Sequence, residues 1–311
     1  MSEKDVLRRI QTNIESVFLG KSEAVKLVLI GLLSEGHVLI EDVPGVGKTM
    51  LARALARSID CTFQRIQFTA DMLPADVLGV SIYDPEVKRF EFKAGPVFAN
   101  ILLADEINRC PPRTQSSLLE AMNERQVTAD GRVHKLPSPF GVLATQNPHD
   151  LEGTYPLPES QRDRFFIRLS IGYPGHADEK RILERQLTPM SVEQLEPVAT
   201  AADVLNLQAA ARQVRMEDSI LEYILQIVEI TRKRHDLAFG VSPRGALMLS
   251  MGARSLALLE GRDFCMPDDV KRLVKPILLH RLVHRSDTES TSERTAAEAL
   301  DEILQDVPVP V

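Results

Sequence analysis

The sequence predicts an α/β fold with a mostly parallel sheet covered on both faces, followed by a smaller all-helical unit. Three observations carry this. Short apolar runs at 37–41, Phe63–Phe68, Ile101–Asp105 and Phe140–Thr145 alternate with helical patterns at Thr49–Ser58 and Arg113–Met122. Such alternation is the pattern of parallel strands joined by helical crossovers. From about Thr188 onward the strand-like runs stop and only helical periodicity continues. The expected units are residues 1–190 and 191–311.

Each element follows from local chemistry. Val6, Ile10, Ile14, Val17 and Phe18 recur at helical spacing, and Gly20 ends that pattern. A second helix reads from Ser22 to Leu33, with Gly36 as its expected closing residue. The run His37–Glu41 reads as a short buried strand, and a loop from Asp42 to Gly47 leads into a helix that turns Leu51, Ala54 and Leu55 inward. Two segments interrupt the alternation. Val80–Phe92 holds a turn at Tyr83-Asp84-Pro85-Glu86, and Val127–Leu136 holds Asp130-Gly131, a strong hairpin signal. Both are expected to project from the core as hairpins.

In the second unit, Thr200 and Asp203 form a capping pair. Ile220, Leu221, Ile224, Leu225 and Val228 form an apolar stripe. Ser242-Pro243 opens a helix that Gly261 ends, and Pro267-Asp268-Asp269 opens another running to about Val283. Arg285–Ser292 reads as polar and irregular, and Thr295–Leu304 as a last short helix.

A chain of 311 residues can build a substantial core, because one of this size buries roughly 75% of its extended surface. The apolar stretch Leu27–Leu33 is too short to span a bilayer, and Met1–Ile10 is too polar for a signal peptide. Cys61, Cys110 and Cys265 form no CxxC pair, which points to free thiols and a cytoplasmic setting. A formal net charge of −7 argues against a dedicated nucleic-acid binder.

The segment Asp42-Val43-Pro44-Gly45-Val46-Gly47-Lys48-Thr49 matches the phosphate-binding P-loop except at its first position, where the motif has glycine. Gly45 and Gly47 permit the tight wrap that turns backbone amides toward phosphate. Lys48 is expected to reach the β- and γ-phosphates of ATP, and Thr49 to hold Mg²⁺ through its hydroxyl. The nucleotide contacts are expected to run from Asp42 to Met50. A carboxylate beside phosphate is repulsive, so Asp42 must point away, which its place at the strand end allows.

Ile101–Ala104 is an apolar run ending in Asp105 and Glu106. Ligands bind at the carboxyl ends of parallel strands. Asp105 suits a Mg²⁺ ligand, and Glu106 suits the group that orients attacking water. Both acids together favour hydrolysis over passive binding. Phe140–Thr145 leads to Asn147, a candidate for sensing the γ-phosphate. Arg162 and Arg164 compete as a finger for a neighbouring subunit's site. Arg244 stands in the first turn of a helix, where the dipole disfavours a cation unless an anion is near.

This constellation resembles the MoxR family of AAA+ ATPases. The likeness rests on Glu41–Thr49, Phe68–Asp76, Gly95–Phe98, Leu103–Arg109, Ala144–Pro148, Leu157–Phe165 and Ser242–Arg244. The resemblance implies an AAA+ P-loop NTPase core of αβα type with a helical lid. It implies that Asn147 is sensor 1, Arg164 the arginine finger and Arg244 sensor 2. The family usually has an apolar residue where Arg162 stands, whereas Asp42 is common there. It further implies a homo-oligomeric ring, most often a hexamer, a von Willebrand A domain protein as partner, and chaperone-like action on a protein client. Two other readings differ in class. A DNA-directed motor would use Lys88, Arg89, Lys93, Arg132, His134 and Lys135, but Asp84, Glu86, Glu91 and Asp130 are interspersed with them. A nucleotide-switched scaffold without hydrolysis would not need Asp105 and Glu106.

Overall fold

A computed structural model describes residues 2–86, 88–147, 153–185, 192–285 and 289–310, for residues 185 and 289–294 the backbone alone. Pro148, Val87 and the expected unit boundary near residue 190 lie outside the described residues.

Two helices lead the chain, α1 (Glu3–Val17) and α2 (Ser22–Leu33). The core then runs β1 (Val38–Glu41), α3 (Lys48–Ser58), β2 (Phe63–Gln67), α4 (Pro74–Leu78), β3 (Gly79–Asp84), β4 (Arg89–Ala94) and β5 (Ile101–Asp105). It continues through α5 (Pro112–Glu124), β6 (Gln126–Ala129), β7 (Arg132–Lys135), β8 (Gly141–Gln146), α6 (Glu159–Arg162), β9 (Ile167–Leu169) and α7 (His176–Arg185). The remainder is α8 (Ala201–Gln213), α9 (Asp218–Lys233), β10 (Leu237–Phe239), α10 (Pro243–Leu259), α11 (Pro267–Leu278), β11 (Val283–His284) and α12 (Glu289–Asp306).

The main sheet has the order β2-β5-β8-β1-β9, and every pairing in it is parallel. Its pleat sorts side chains to two cores. Val38, Ile40, Ile101, Leu103 and Leu143 face a cluster shared with α1, α2, α3 and the helices after residue 200. Leu39, Leu102, Ala104, Val142 and Ala144 face a second cluster with α5. Burying each such aliphatic side chain contributes roughly 1.5–3 kcal/mol. Both hairpins are present, β3 with β4 and β6 with β7, the latter turning at Asp130 (φ 50°) and Gly131 (φ 72°). They touch through the Phe92 and His134 rings, stacked at 4.0 Å.

Several expectations need correction. The second unit is not all-helical, because β10 and β11 pair antiparallel in a short ribbon beside its helices. Strands of two and three residues are too brief to leave a period in the sequence. β9 went unread for the same reason. Leu221 and Leu225 are exposed, and the buried stripe of α9 is Ile220, Tyr223, Ile224, Ile227 and Val228. Ser34 caps α2 and Glu35 takes the positive φ, so Gly36 is not the closing residue. Gly36 is instead needed for close approach, since a Cβ there would lie 2.3 Å from the Cβ of Phe166. α11 stops at Leu278, and α12 begins at Glu289 within the segment expected to be irregular.

His37 ties three elements together at the start of β1. Its Nδ1 accepts from the Val142 amide at 3.1 Å, so Nε2 carries the proton and donates to the Met122 carbonyl at 3.0 Å. Burial pushes this imidazole down to about 4, and it is neutral in the folded protein.

Candidate nucleotide site

The carboxyl ends of β1, β5 and β8 lie side by side and bring the P-loop, the two acids and Thr145 together. After β1 the chain turns through Gly45 (φ 86°) and Gly47 (φ 93°), both left-handed. α3 then starts at Lys48. Among the described residues, the amides of Val46 to Met50 donate to no backbone acceptor; the first hydrogen bond of the helix runs from Leu51 to the Gly47 carbonyl. A row of free N–H groups at a helix start is the donor set that a polyphosphate requires. A Cβ on Gly45 would meet nothing within 4 Å, so the loop is open on that side.

Asp42 points away from the loop. Its Oδ2 accepts from the Ile171 amide (2.6 Å), the Gly172 amide (2.7 Å) and the Ser170 hydroxyl (3.1 Å), and its Oδ1 from the Val43 amide (2.9 Å). Burial alone would raise its pKa, but these donors, Gly172 foremost, hold the carboxyl below its ordinary value. Asp42 therefore fastens the root of the P-loop to the chain after β9.

Lys48 folds back, and its Nζ donates to the Asp42 carbonyl at 2.7 Å. Burial lowers its pKa, while the charges of Asp105, Asp42 and Glu106 act in the opposite sense. Thr49 is half-buried and Met50 is exposed.

Thr145 organises the acids. Its hydroxyl donates to Asp105 Oδ1 at 2.6 Å and accepts from the Glu106 amide at 2.9 Å. Glu106 sits at φ 58°, a left-handed conformation that turns its side chain out of the strand line. Two residues of β2 complete the arrangement. Arg65 Nη2 lies 2.6 Å from Asp105 Oδ2, and Gln67 Nε2 donates to Glu106 Oε2 at 2.8 Å. Arg109 Nε lies 3.0 Å from the same Glu106 oxygen. Hard oxygen donors suit Mg²⁺, and Asp105 already attracts a cation in the form of Arg65. The Thr49 hydroxyl and the Asp105 carboxylate are oxygen donors of the kind Mg²⁺ takes.

Asn147 directly follows β8, at the same carboxyl edge of the sheet. The structure does not bring the arginines to the same place. Arg244 is exposed, and its Nη2 donates to Asn123 Oδ1 at 2.8 Å, on α5. Arg164 is half-buried and makes no side-chain ion pair among the described residues, and the Nε of Arg162 is buried without a partner. Sequence reasoning missed Arg65, Gln67 and the bridging role of Thr145. The period-two spacing of Arg65 and Gln67 on one face of β2 was the available signal.

A five-stranded parallel sheet with a P-loop after β1, paired acids at the end of β5, β8 between those two strands and a trailing helical unit is the architecture of an AAA+ ATPase domain. Residues 37–167 match the model of the ATPase family associated with various cellular activities, and residues 229–303 match that of the AAA lid domain. The chain is 49% identical to YeaC of Bacillus subtilis over 98% of this chain and 95% of that protein. It is 42% identical to chaperone MoxR1 of Mycobacterium tuberculosis over 99% of this chain and 84% of that one. Protein MoxR of Methylorubrum extorquens is 28% identical over 99% and 96% of the two chains. A solved structure from Cytophaga hutchinsonii superposes with a TM-score of 0.91 at 35% identity, covering 99% of this chain and 96% of that one. The chain belongs to the MoxR family of AAA+ ATPases. No described helix is long and apolar enough to cross a membrane.

Proposed function

We propose that this chain hydrolyses ATP with Mg²⁺ and couples that cycle to the remodelling, assembly or activation of partner proteins. The observation that carries this reading is the Thr145 bridge, which holds Asp105 and Glu106 in fixed relation beside Lys48. Mg²⁺, when bound, neutralises charge on the phosphates, and Thr49 and Asp105 would hold it. The amides from Gly45 to Met50 bind the phosphates, and Lys48 leaves the Asp42 carbonyl to reach them. Glu106 orients the attacking water and takes its proton. Asn147 and Arg244 respond to the γ-phosphate, and Arg164 serves the site of a neighbouring subunit in a homo-oligomeric ring, a hexamer in our reading.

The proposal divides the chain near residue 190 into an ATPase core and a helical lid. It includes a protein client, a von Willebrand A domain partner and work in the cytoplasm. The chaperone named among the relatives supports such a client. So do the hairpins, which expose Tyr83 and Phe90 in edge contact at 5.4 Å while Arg89 is paired with Glu91 at 3.0 Å. Exposed aromatics suit a protein surface, and a paired cation is a poor phosphate anchor.

The test mixes two inactive variants, Lys48→Ala and Arg164→Ala. Mixed rings contain borders where an intact Arg164 faces an intact P-loop, and ATPase activity returns there. Mixed oligomers without any recovered activity would remove the trans role of Arg164.

A further inference from the structure

Arg164 is bracketed by a single buried cation. Arg281 lies in the short 3₁₀ turn Leu279–Arg281 after α11, and its side chain is only 1% exposed. Its Nη2 donates to the Phe165 carbonyl and, at 3.3 Å, to the Asp163 carbonyl. Its Nε lies 3.0 Å from Asp163 Oδ1, a close ion pair without the alignment of a hydrogen bond. His280 sets Nε2 3.0 Å from the same Phe165 carbonyl. The residues immediately before and after Arg164 are therefore both fastened to the α10–α11 unit. Ser242, the N-cap of α10 and two residues before Arg244, reaches the same Asp163 oxygen, with its Oγ 3.5 Å away.

The energetics separate this arrangement from a simple staple. Burying a guanidinium carries a desolvation penalty that its partners repay only with good geometry. An apolar side chain would fill the same volume without that penalty. What the arginine adds is direction, since its rigid fork engages the Asp163 and Phe165 carbonyls and the Asp163 carboxylate at once. Phe165 is fully buried on the other side, so the backbone of Arg164 has little freedom left.

We propose that Asp163 and Arg281 are positioning residues for Arg164, holding it in the geometry that serves the neighbouring subunit and making its placement follow the position of the α10–α11 unit. The inference rests on the trans role proposed above for Arg164. Because Ser242 caps α10 and Arg244 stands in its first turn, a shift of that helix in response to nucleotide moves Asp163 as well. A subunit's own nucleotide state is thereby passed to the arginine it presents to its neighbour.

The test uses Asp163→Asn in the full-length protein, which keeps the shape and removes the charge. The expected result is a kcat lowered at least tenfold, within the roughly 10²-fold loss that an ångström of misplacement causes, with the dissociation constant of a fluorescent ATP analogue changed less than twofold. Mixing Asp163→Asn with Lys48→Ala restores activity, because the intact Arg164 of the second variant faces the intact P-loop of the first. Arg281→Lys retains more activity than Arg281→Met, since it keeps a cation for Asp163. An Asp163→Asn ring with normal kcat overturns the proposal. So does a mixture that stays inactive while the parallel Arg164→Ala and Lys48→Ala mixture recovers. If that parallel mixture also fails, it is the trans role of Arg164 that falls.

Discussion

Arg65 Nη2 stands 2.6 Å from Asp105 Oδ2, so the carboxylate proposed to hold the metal is engaged by a cation from the neighbouring strand. Arg65 and a metal ion compete for the same oxygens. The pair is partly exposed on the arginine side, and such pairs contribute about 0–1 kcal/mol. Arg65→Met should therefore lower the Mg²⁺ concentration that half-saturates nucleotide binding by about two- to fivefold, the equivalent of that energy. A Mg²⁺ titration of fluorescent nucleotide binding measures it. An unchanged requirement would show that Arg65 does not compete with the metal, and a higher one that it supports the metal site.

Glu106 is set apart from the nucleotide contacts by its left-handed backbone and its bonds to Gln67 and Arg109. Glu106→Gln preserves volume and polarity but removes the group that takes a proton from water. ATP affinity should stay within about threefold, while single-turnover hydrolysis falls by about 10²–10⁴-fold, the usual contribution of a general base. A normal single-turnover rate would assign that role elsewhere.

Asp42 accepts four hydrogen bonds, three of them from Ser170, Ile171 and Gly172. Asp42→Ala leaves buried amides without acceptors. The expected loss of unfolding free energy is about 2–4 kcal/mol. Urea denaturation of the two proteins at neutral pH reads it directly, and a difference below ~0.5 kcal/mol would mean that the loop root is held by other contacts.

His37 gives the stability a pH dependence whose sign follows from its burial. Its folded pKa is depressed to about 4 from 6.5, so the unfolded chain binds the proton more readily between those values. Stability is unaffected by this group above its unfolded pKa. It falls as pH drops from 6.5 toward 4, by on the order of 3 kcal/mol. His280, also depressed by burial and by the Arg281 charge, acts in the same direction. His37→Asn should be less stable than the parent at pH 7, and the gap should narrow as pH falls through this window. A gap constant from pH 7 to pH 4.5 would count against a neutral buried imidazole.

Much of the architecture is local and therefore legible. The glycines of Asp42–Thr49, the apolar run ending at Asp105-Glu106, and the cap pairs at Thr200 and Ser242 each act within a few residues. α1, α2, α3, both hairpins and the four principal strands lie within a few residues of where periodicity and turn chemistry place them. The missed strands, β9 and the β10–β11 ribbon, are two or three residues long, and their pairing energy comes from distant partners; the helices α4 and α7 also went unassigned.

By itself the sequence determined which chemistry is present and in what order, because side-chain period, glycine spacing and strand-end acids are written along one dimension. Tertiary structure alone decided how those groups engage. It set Thr145 between Asp105 and Glu106, put Arg65 on Asp105, and turned Asp42 toward Ser170, Ile171 and Gly172. It also brought Arg281 to the two residues flanking Arg164. The physical reason is common to all four. Each contact joins residues about 40 or more positions apart through one or two hydrogen bonds, and the sheet order and core packing that bring them together depend on the whole chain at once.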